Sequence, residues 1–363
     1  MEKSKRLSGI ELLRIIAMIQ IIFLHLFQYG EMGTAVSLKN LSASTVVDFM
    51  WCLSRTPVDV FVMISGYFLI TAKTNIRSAV ARCKKPYQAM LFYSVIIGII
   101  FFITTPNLFV APEVWKMFLP FFSRTWYFLD NYIILLLVSP FLNRMLVSLE
   151  KKEYRFLLTV AFVVVSVWST LSKVKVVNEV ISSAKITDNY YGKSLIGFLL
   201  MYIIGGYLRL HIDDSRFAVW KKRCWYMGIF LGMCGIDFAL HCNFEEYKNV
   251  YGMFNNPFVV IESVCMVLLF RSFVFSSRIV NTLASTTLGV YAIHEHPYIR
   301  KWLWELLSMK DHNLYYSWKY LPIGIGICAG VFLACGTLEL VRMKISGFIV
   351  KRHFMRQKDT TKK

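Results

Sequence analysis

Charge is scarce in this chain. Only 17% of its 363 residues are Asp, Glu, Lys or Arg, against 56% hydrophobic, and mean hydropathy is +0.51. A water-soluble protein of this length would need far more polar surface, so that class is excluded. Other absences narrow the field. None of the eight cysteines forms a C-x-x-C pair of the kind that marks a metal or redox site. Most lie in apolar stretches, where thiols serve as small packing groups. H-E-x-x-H, G-x-S-x-G and the Gly-rich phosphate loops are missing, which argues against a zinc hydrolase, a serine hydrolase and an ATP-driven pump. No internal repeat is visible, which weakens a transporter built from inverted halves. No cleavable leader is visible either. Lys3, Lys5 and Arg6 precede an apolar run too long for a signal sequence and without a small-residue cleavage site.

What the chain does have is long apolar runs. They lie near residues 9–29, 46–71, 87–105, 127–148, 156–172, 194–210, 224–241, 256–275, 281–299 and 320–345. Runs of this length predict an all-α, polytopic membrane bundle of about ten transmembrane helices. With ten spans and an inner N-terminus, 27 of the 41 Lys and Arg fall on inner segments and 13 on outer ones, leaving Arg14 in the membrane. That excess places both termini in the cytoplasm and predicts a multi-pass protein of the cell inner membrane, in contact with membrane lipid. The net charge of +19 is spread between the spans rather than gathered on one arm, so nucleic acid is not an expected partner. No loop is long enough to fold separately. One transmembrane domain over residues 1–350 is expected, followed by a basic cytoplasmic tail over 351–363. The chemistry must then lie inside the bundle or at its mouths.

The opening span holds the strongest candidate. In SGIELLRIIAMIQIIFLHLFQYG, Arg14 and His25 are eleven residues apart. On a helix that is three turns and about 20°, so both share one face about 16–17 Å apart along the axis. Glu11 lies one turn before Arg14 on the same face. Ionisable groups inside a span are costly and ordinarily face a polar cavity, so the stripe predicts a water-accessible tunnel lined by Arg14 and His25. A neutral imidazole can take a proton from a hydroxyl; a buried histidine can equally be satisfied by a nearby carbonyl. Arg14 can hold an anion, pair with Glu11 at i,i+3, or do both.

Further candidates follow along the chain. In RTPVDVFVMISGYFLI, Asp59 lies one turn from Arg55, as in an interfacial ion pair, and Tyr67 carries a polar tip. Ser65-Gly66 would admit a second helix or a ligand. The inner loop KTNIRSAVARCKKPYQ gathers Arg77, Arg82, Lys84 and Lys85 before Pro86. Positive-inside bias explains such a cluster, and so does a polyphosphate ligand. Trp126 opens the fourth span as part of an aromatic belt at the interface; Asp130 just after it and Glu262 are further acids in or near spans, and either would suit a cavity wall. In YAIHEHP, Tyr291 and His294 close the ninth span. The i,i+2 spacing of His294 and His296 argues against a shared metal, and none is expected.

Together these stretches resemble the membrane acyltransferase-3 family, whose members include bacterial surface-polysaccharide O-acetyltransferases. The Arg14/His25 spacing, GIELLRIIAM, VDVFVMISGYFL, TWYFLDNYIILLLVSPFLN and YAIHEHP carry the likeness, in order, from the first span to the ninth. The resemblance implies acyl transfer, usually of acetyl, from a cytoplasmic acyl-CoA such as acetyl-CoA to a hydroxyl of a glycan acceptor. It implies a catalytic role for His25 and a functional one for Arg14, with Glu11 orienting the guanidinium. The family's paired arginines near the third span correspond here to Arg82 and Lys85, so the second planar fork is lost. The donor phosphates are expected on Arg82, Lys84 and Lys85, with Arg77 nearby. The acceptor is expected among Asp59, Tyr67, Trp126, Asp130, Tyr291 and His294. A flippase of lipid-linked glycans, or an acyltransferase acting on a lipid or small molecule, would also explain a polytopic chain with intramembrane charge.

Overall fold

The computed structural model describes residues 7–360 apart from 34–41, 73–74, 109, 124, 175, 181–191, 214–217, 312–313 and 315–316. Lys3, Lys5 and Arg6 lie outside the described residues, as do residues 361–363 of the basic tail. Every regular element among the described residues is helical. The chain runs through α1 (Ser8–Tyr29), α2 (Ser42–Leu53), α3 (Pro57–Leu69), α4 (Ile76–Thr104), α5 (Ala111–Phe118), α6 (Tyr127–Ser148) and α7 (Lys151–Leu171). It continues through α8 (Leu195–His211), α9 (Val219–Asn243), α10 (Pro257–Arg271), α11 (Arg278–Ala284), α12 (Thr287–His294), α13 (Pro297–Leu306) and α14 (Tyr320–Thr360). The backbone of α14 stays helical into the basic tail.

Six of these helices are long and apolar enough to cross a membrane: α1, α4, α6, α7, α9 and the Tyr320–Phe348 part of α14. The other expected spans are shorter or broken. The second is two helices that meet at residues 54–56, with Pro57 in the first turn of α3, where its missing N–H costs nothing. The ninth is three, α11 to α13, with Pro297 opening the last. Apolar residues such as Ile99 and Ile103 on α4, Phe141 on α6, Phe156 on α7 and Leu338 on α14 are exposed. In a protein whose backbone bonds are satisfied within helices, such faces suit lipid.

α1 lies at the centre of the bundle. Ile10, Leu13 and Ala17 pack with α3, α8 and α10, while Ile15, Met18, Ile22 and Leu26 pack with α4, α6, α12 and α14. A helix surrounded in this way can turn a polar stripe only toward an internal space. α3 and α8 approach closely because two glycines face the crossing. A Cβ on Gly66 would stand 2.2 Å from the Tyr202 carbonyl oxygen, and one on Gly205 2.1 Å from that of Met63. Gly205→Ala is therefore expected to force the pair apart and cost about 1–3 kcal/mol. It should lower Tm in detergent, while Gly232→Ala on α9, where a Cβ meets nothing within 4 Å, should hold Tm or raise it.

Two local expectations need correction. The Arg77–Lys85 cluster is not a loop. α4 starts at Ile76, because Asn75 and Ser78 form a reciprocal capping box, and it carries Pro86 in its interior. Arg55 does not pair with Asp59. It is 1% exposed, and its guanidinium pairs with Asp237 of α9, donates to the Tyr251 carbonyl, and lies over the Trp51 and Tyr251 rings.

Candidate active site

A cavity of about 1010 Å³ opens beside the first half of α1. Glu11, Arg14, Met18 and Ile21 line it from that helix, one per turn along the stripe read from the sequence. Arg14 Nη1 donates to both Glu11 carboxylate oxygens, at 3.1 and 3.2 Å, so one nitrogen of the guanidinium is held. α4 adds Ala81, Arg82, Lys85 and Pro86. The helical start of α4 decides this selection: Arg82 and Lys85 are three apart and share a face, whereas Lys84 and Arg77 are exposed and are not among the lining residues. Arg82 Nη1 is buried without a hydrogen-bond partner among the described residues. Arg209, from the last turn of α8, completes the basic wall. Its guanidinium donates to the Tyr67 hydroxyl at 3.2 Å and lies over the Tyr67 ring. A smaller opening of about 450 Å³ adjoins through Lys85 and Ser285 and includes Arg278. Phe61, Phe68, Phe128 and Leu288 supply apolar wall, and Tyr291 is the lining residue from the far part of α12.

His25 lies one turn beyond Ile21 and is not among the lining residues, so Arg14 and His25 do not line one continuous tunnel. His25 instead belongs to a compact cluster. Its Nδ1 is 3.1 Å from His294 Nε2 and 3.1 Å from Glu295 Oε2. Tautomers follow from the partners. His294 Nδ1 is 2.6 Å from the Val290 carbonyl oxygen, which can only accept, so Nδ1 carries the proton and Nε2 of the neutral ring accepts. His25 Nδ1 must then be the donor, and the lone pair of neutral His25 sits on Nε2. Glu295 Oε1 takes a charged hydrogen bond from Arg300 at 2.7 Å, and Arg300 lies over the Tyr29 ring, itself next to His25. Donor atoms of His25, His294 and Glu295 all fall within 4.8 Å, a spacing a divalent cation could use. Arg300 already supplies the positive charge at Glu295, and the Nδ1 protons of His25 and His294 each have an acceptor.

The remaining candidates scatter. His296 turns away from His294: α12 ends at His294, and His296 caps the helix that Pro297 opens, accepting from the Tyr298 N–H and meeting the Trp126 ring edge-on. Trp126 is 1% exposed, a core residue rather than part of an interfacial belt. Asp59, Asp130 and Glu262 are buried and do not line the cavity; both Glu262 oxygens lack hydrogen-bond partners among the described residues. Tyr67 acts on the cavity through Arg209, and Ser65 lines it directly, hydrogen-bonded to Tyr132 at 3.1 Å. Arg209, Glu295 and Arg300 were not legible as site residues. Arg209 reads in sequence as one more inner anchor, and nothing local distinguishes it.

No curated protein and no solved structure matches the chain significantly. The model of the acyltransferase-3 family, described as an acyltransferase domain, matches residues 7–340. That match takes in nearly the whole helical bundle, including α1, the basic wall of the cavity and the histidine cluster: the chain belongs to the acyltransferase-3 family of membrane acyltransferases.

Proposed function

We propose that this protein transfers an acyl group, acetyl in the first instance, from a cytoplasmic acyl-CoA to a hydroxyl of a cell-surface glycan, with His25 as general base. The observation that carries the proposal is the cavity: four cationic side chains from three helices, Arg14, Arg82, Lys85 and Arg209, line one apolar-walled space that ends next to the histidine cluster. Anionic phosphates suit the first feature, and Arg82 has a buried donor to spare. A slender pantetheine arm with its thioester suits the second. In this reading the bundle has ten spans with both termini in the cytoplasm of a bacterial-type inner membrane. The cavity opens inward, and the acceptor reaches His25 from outside past Tyr29 and Arg300. Among the acceptors considered, a hydroxyl is what a neutral imidazole can activate.

Two measurements test this. Mass spectrometry of surface glycan should find acetyl esters in cells that express the protein and lose them in cells that do not. Coenzyme A titrated into purified protein should bind on the order of tenfold more weakly to Arg82→Ala, Lys85→Ala and Arg209→Ala, since each removes a charge-assisted contact. Lys84→Ala should bind like the unaltered protein. Equal affinity for all four variants would place the donor elsewhere.

A further inference from the structure

The far end of the cavity gathers polar groups that neither the packing nor the histidine cluster uses. The Tyr291 hydroxyl is the clearest. The residue lines the cavity, is 5% exposed, and its oxygen has no hydrogen-bond partner among the described residues. A buried hydroxyl left unmatched is unfavourable, and a ligand atom at that spot would relieve it. α6 begins against it. Trp126 stands at its N-cap without a side-chain capping bond. Phe128 and Leu129, in the first turn, line the cavity, and first-turn amides have no partner within their own helix. The Phe128 and Tyr291 rings meet edge-on at 5.7 Å.

The neighbours of Tyr291 say what arrives there. Tyr291 and His294 are three apart on α12, with ring centroids 6.1 Å apart, and Ile21 and His25 are four apart on α1. Tyr291 therefore stands between the donor cavity and the His25–His294 pair. We propose that Tyr291, backed by the uncapped N-terminus of α6, donates the hydrogen bond that stabilises the oxyanion formed during acyl transfer. This rests on the acyltransferase reading above. As His25 Nε2 removes the acceptor's hydroxyl proton, the acceptor oxygen bonds to the thioester carbon. The carbonyl π pair moves onto its oxygen, which takes the Tyr291 hydrogen bond and the positive end of the α6 dipole. When the C–O double bond re-forms, the C–S bond breaks and the thiolate takes the proton from His25. An ester and free coenzyme A thiol leave, and both side chains are restored.

The test is Tyr291→Phe, which keeps the ring and removes only the hydroxyl. Loss of one oxyanion donor lowers turnover on the order of 10²–10³-fold without touching ground-state binding. Surface acetyl ester per molecule of expressed protein is therefore expected to fall at least tenfold, with coenzyme A affinity unchanged. His25→Ala is measured alongside. If Tyr291→Phe keeps ester within twofold while His25→Ala loses it, the oxyanion role is overturned and the acyltransferase reading stands. If Tyr291→Phe loses coenzyme A binding, Tyr291 serves the donor and the oxyanion role is again overturned. If His25→Ala keeps full ester, the general-base reading falls and takes the Tyr291 role with it.

Discussion

Surface acetyl ester is expected to fall on the order of 10²–10⁴-fold in His25→Ala, the range a positioned general base contributes. The geometry makes the expectation specific to one nitrogen. His294 is committed to the Val290 carbonyl, so it holds His25 as the Nδ1–H tautomer and leaves Nε2 to act. His294→Phe removes that acceptor while leaving the base in place. It should therefore give an intermediate defect, larger in turnover than in donor affinity. Removing His25 leaves His294 Nε2 without its hydrogen bond, worth about 1–3 kcal/mol. Ester must accordingly be normalised to folded protein, for example by gel filtration in detergent. A folded His25→Ala protein that still acetylates surface glycan would remove His25 from the chemistry. Normal acetylation with lost glycan export would favour the flippase instead.

Helical periodicity made the α1 stripe readable. Glu11, Arg14 and the direction of His25 follow from a 100° step per residue, and an uninterrupted helix preserves that step. What failed to read were breaks. The basic residues before Pro86 looked like a loop because proline commonly opens helices, yet the Asn75/Ser78 box starts α4 at Ile76, ten residues earlier. Helical phase then selects Arg82 and Lys85 for the cavity and turns Lys84 away, a choice no loop reading can make. In YAIHEHP the reverse happened. Pro297 interrupts the helix, so the two residues after His294 do not continue its phase, and Glu295 reaches His25. The metal question was posed about His294 and His296, whereas the partner that matters lies 269 residues away on α1. Long-range partnerships of this kind, Arg55 with Asp237 and Arg209 with Tyr67 among them, have no local signature. They depend on which helices become neighbours. Gly66 and Gly205 show that choice for α3 and α8, but the sequence places the two glycines 139 positions apart and gives no sign that they meet.

The largest stability effect is expected at Asp237, which no reading of the active site involves. Asp237 is fully buried, and its carboxylate receives the Arg55 guanidinium, the Tyr247 hydroxyl at 2.5 Å and the Asn256 amide at 2.9 Å. It thereby ties α9 to the α2–α3 break and to the start of α10. Arg55 has no route to solvent: at 1% exposure it cannot snorkel, and a guanidinium stays charged when buried. Asp237→Ala therefore leaves a permanent charge unpaired inside the bundle, at an expected cost of about 3–5 kcal/mol. The variant should express poorly or melt far below the unaltered protein. A charge left behind, rather than a bond lost, is the reason, and that distinction can be measured. Arg55→Met combined with Asp237→Leu removes both charges and fills similar volume, so it should recover most of the lost stability. A double variant as unstable as Asp237→Ala would mean that the Tyr247 and Asn256 hydrogen bonds, not the ion pair, hold this corner together. The polar stripe on α1 and the His25–His294–Glu295 cluster lie outside this corner. Whatever folded protein the double variant yields should therefore acetylate at an undiminished rate per molecule, which separates the pin of the fold from the chemistry it supports.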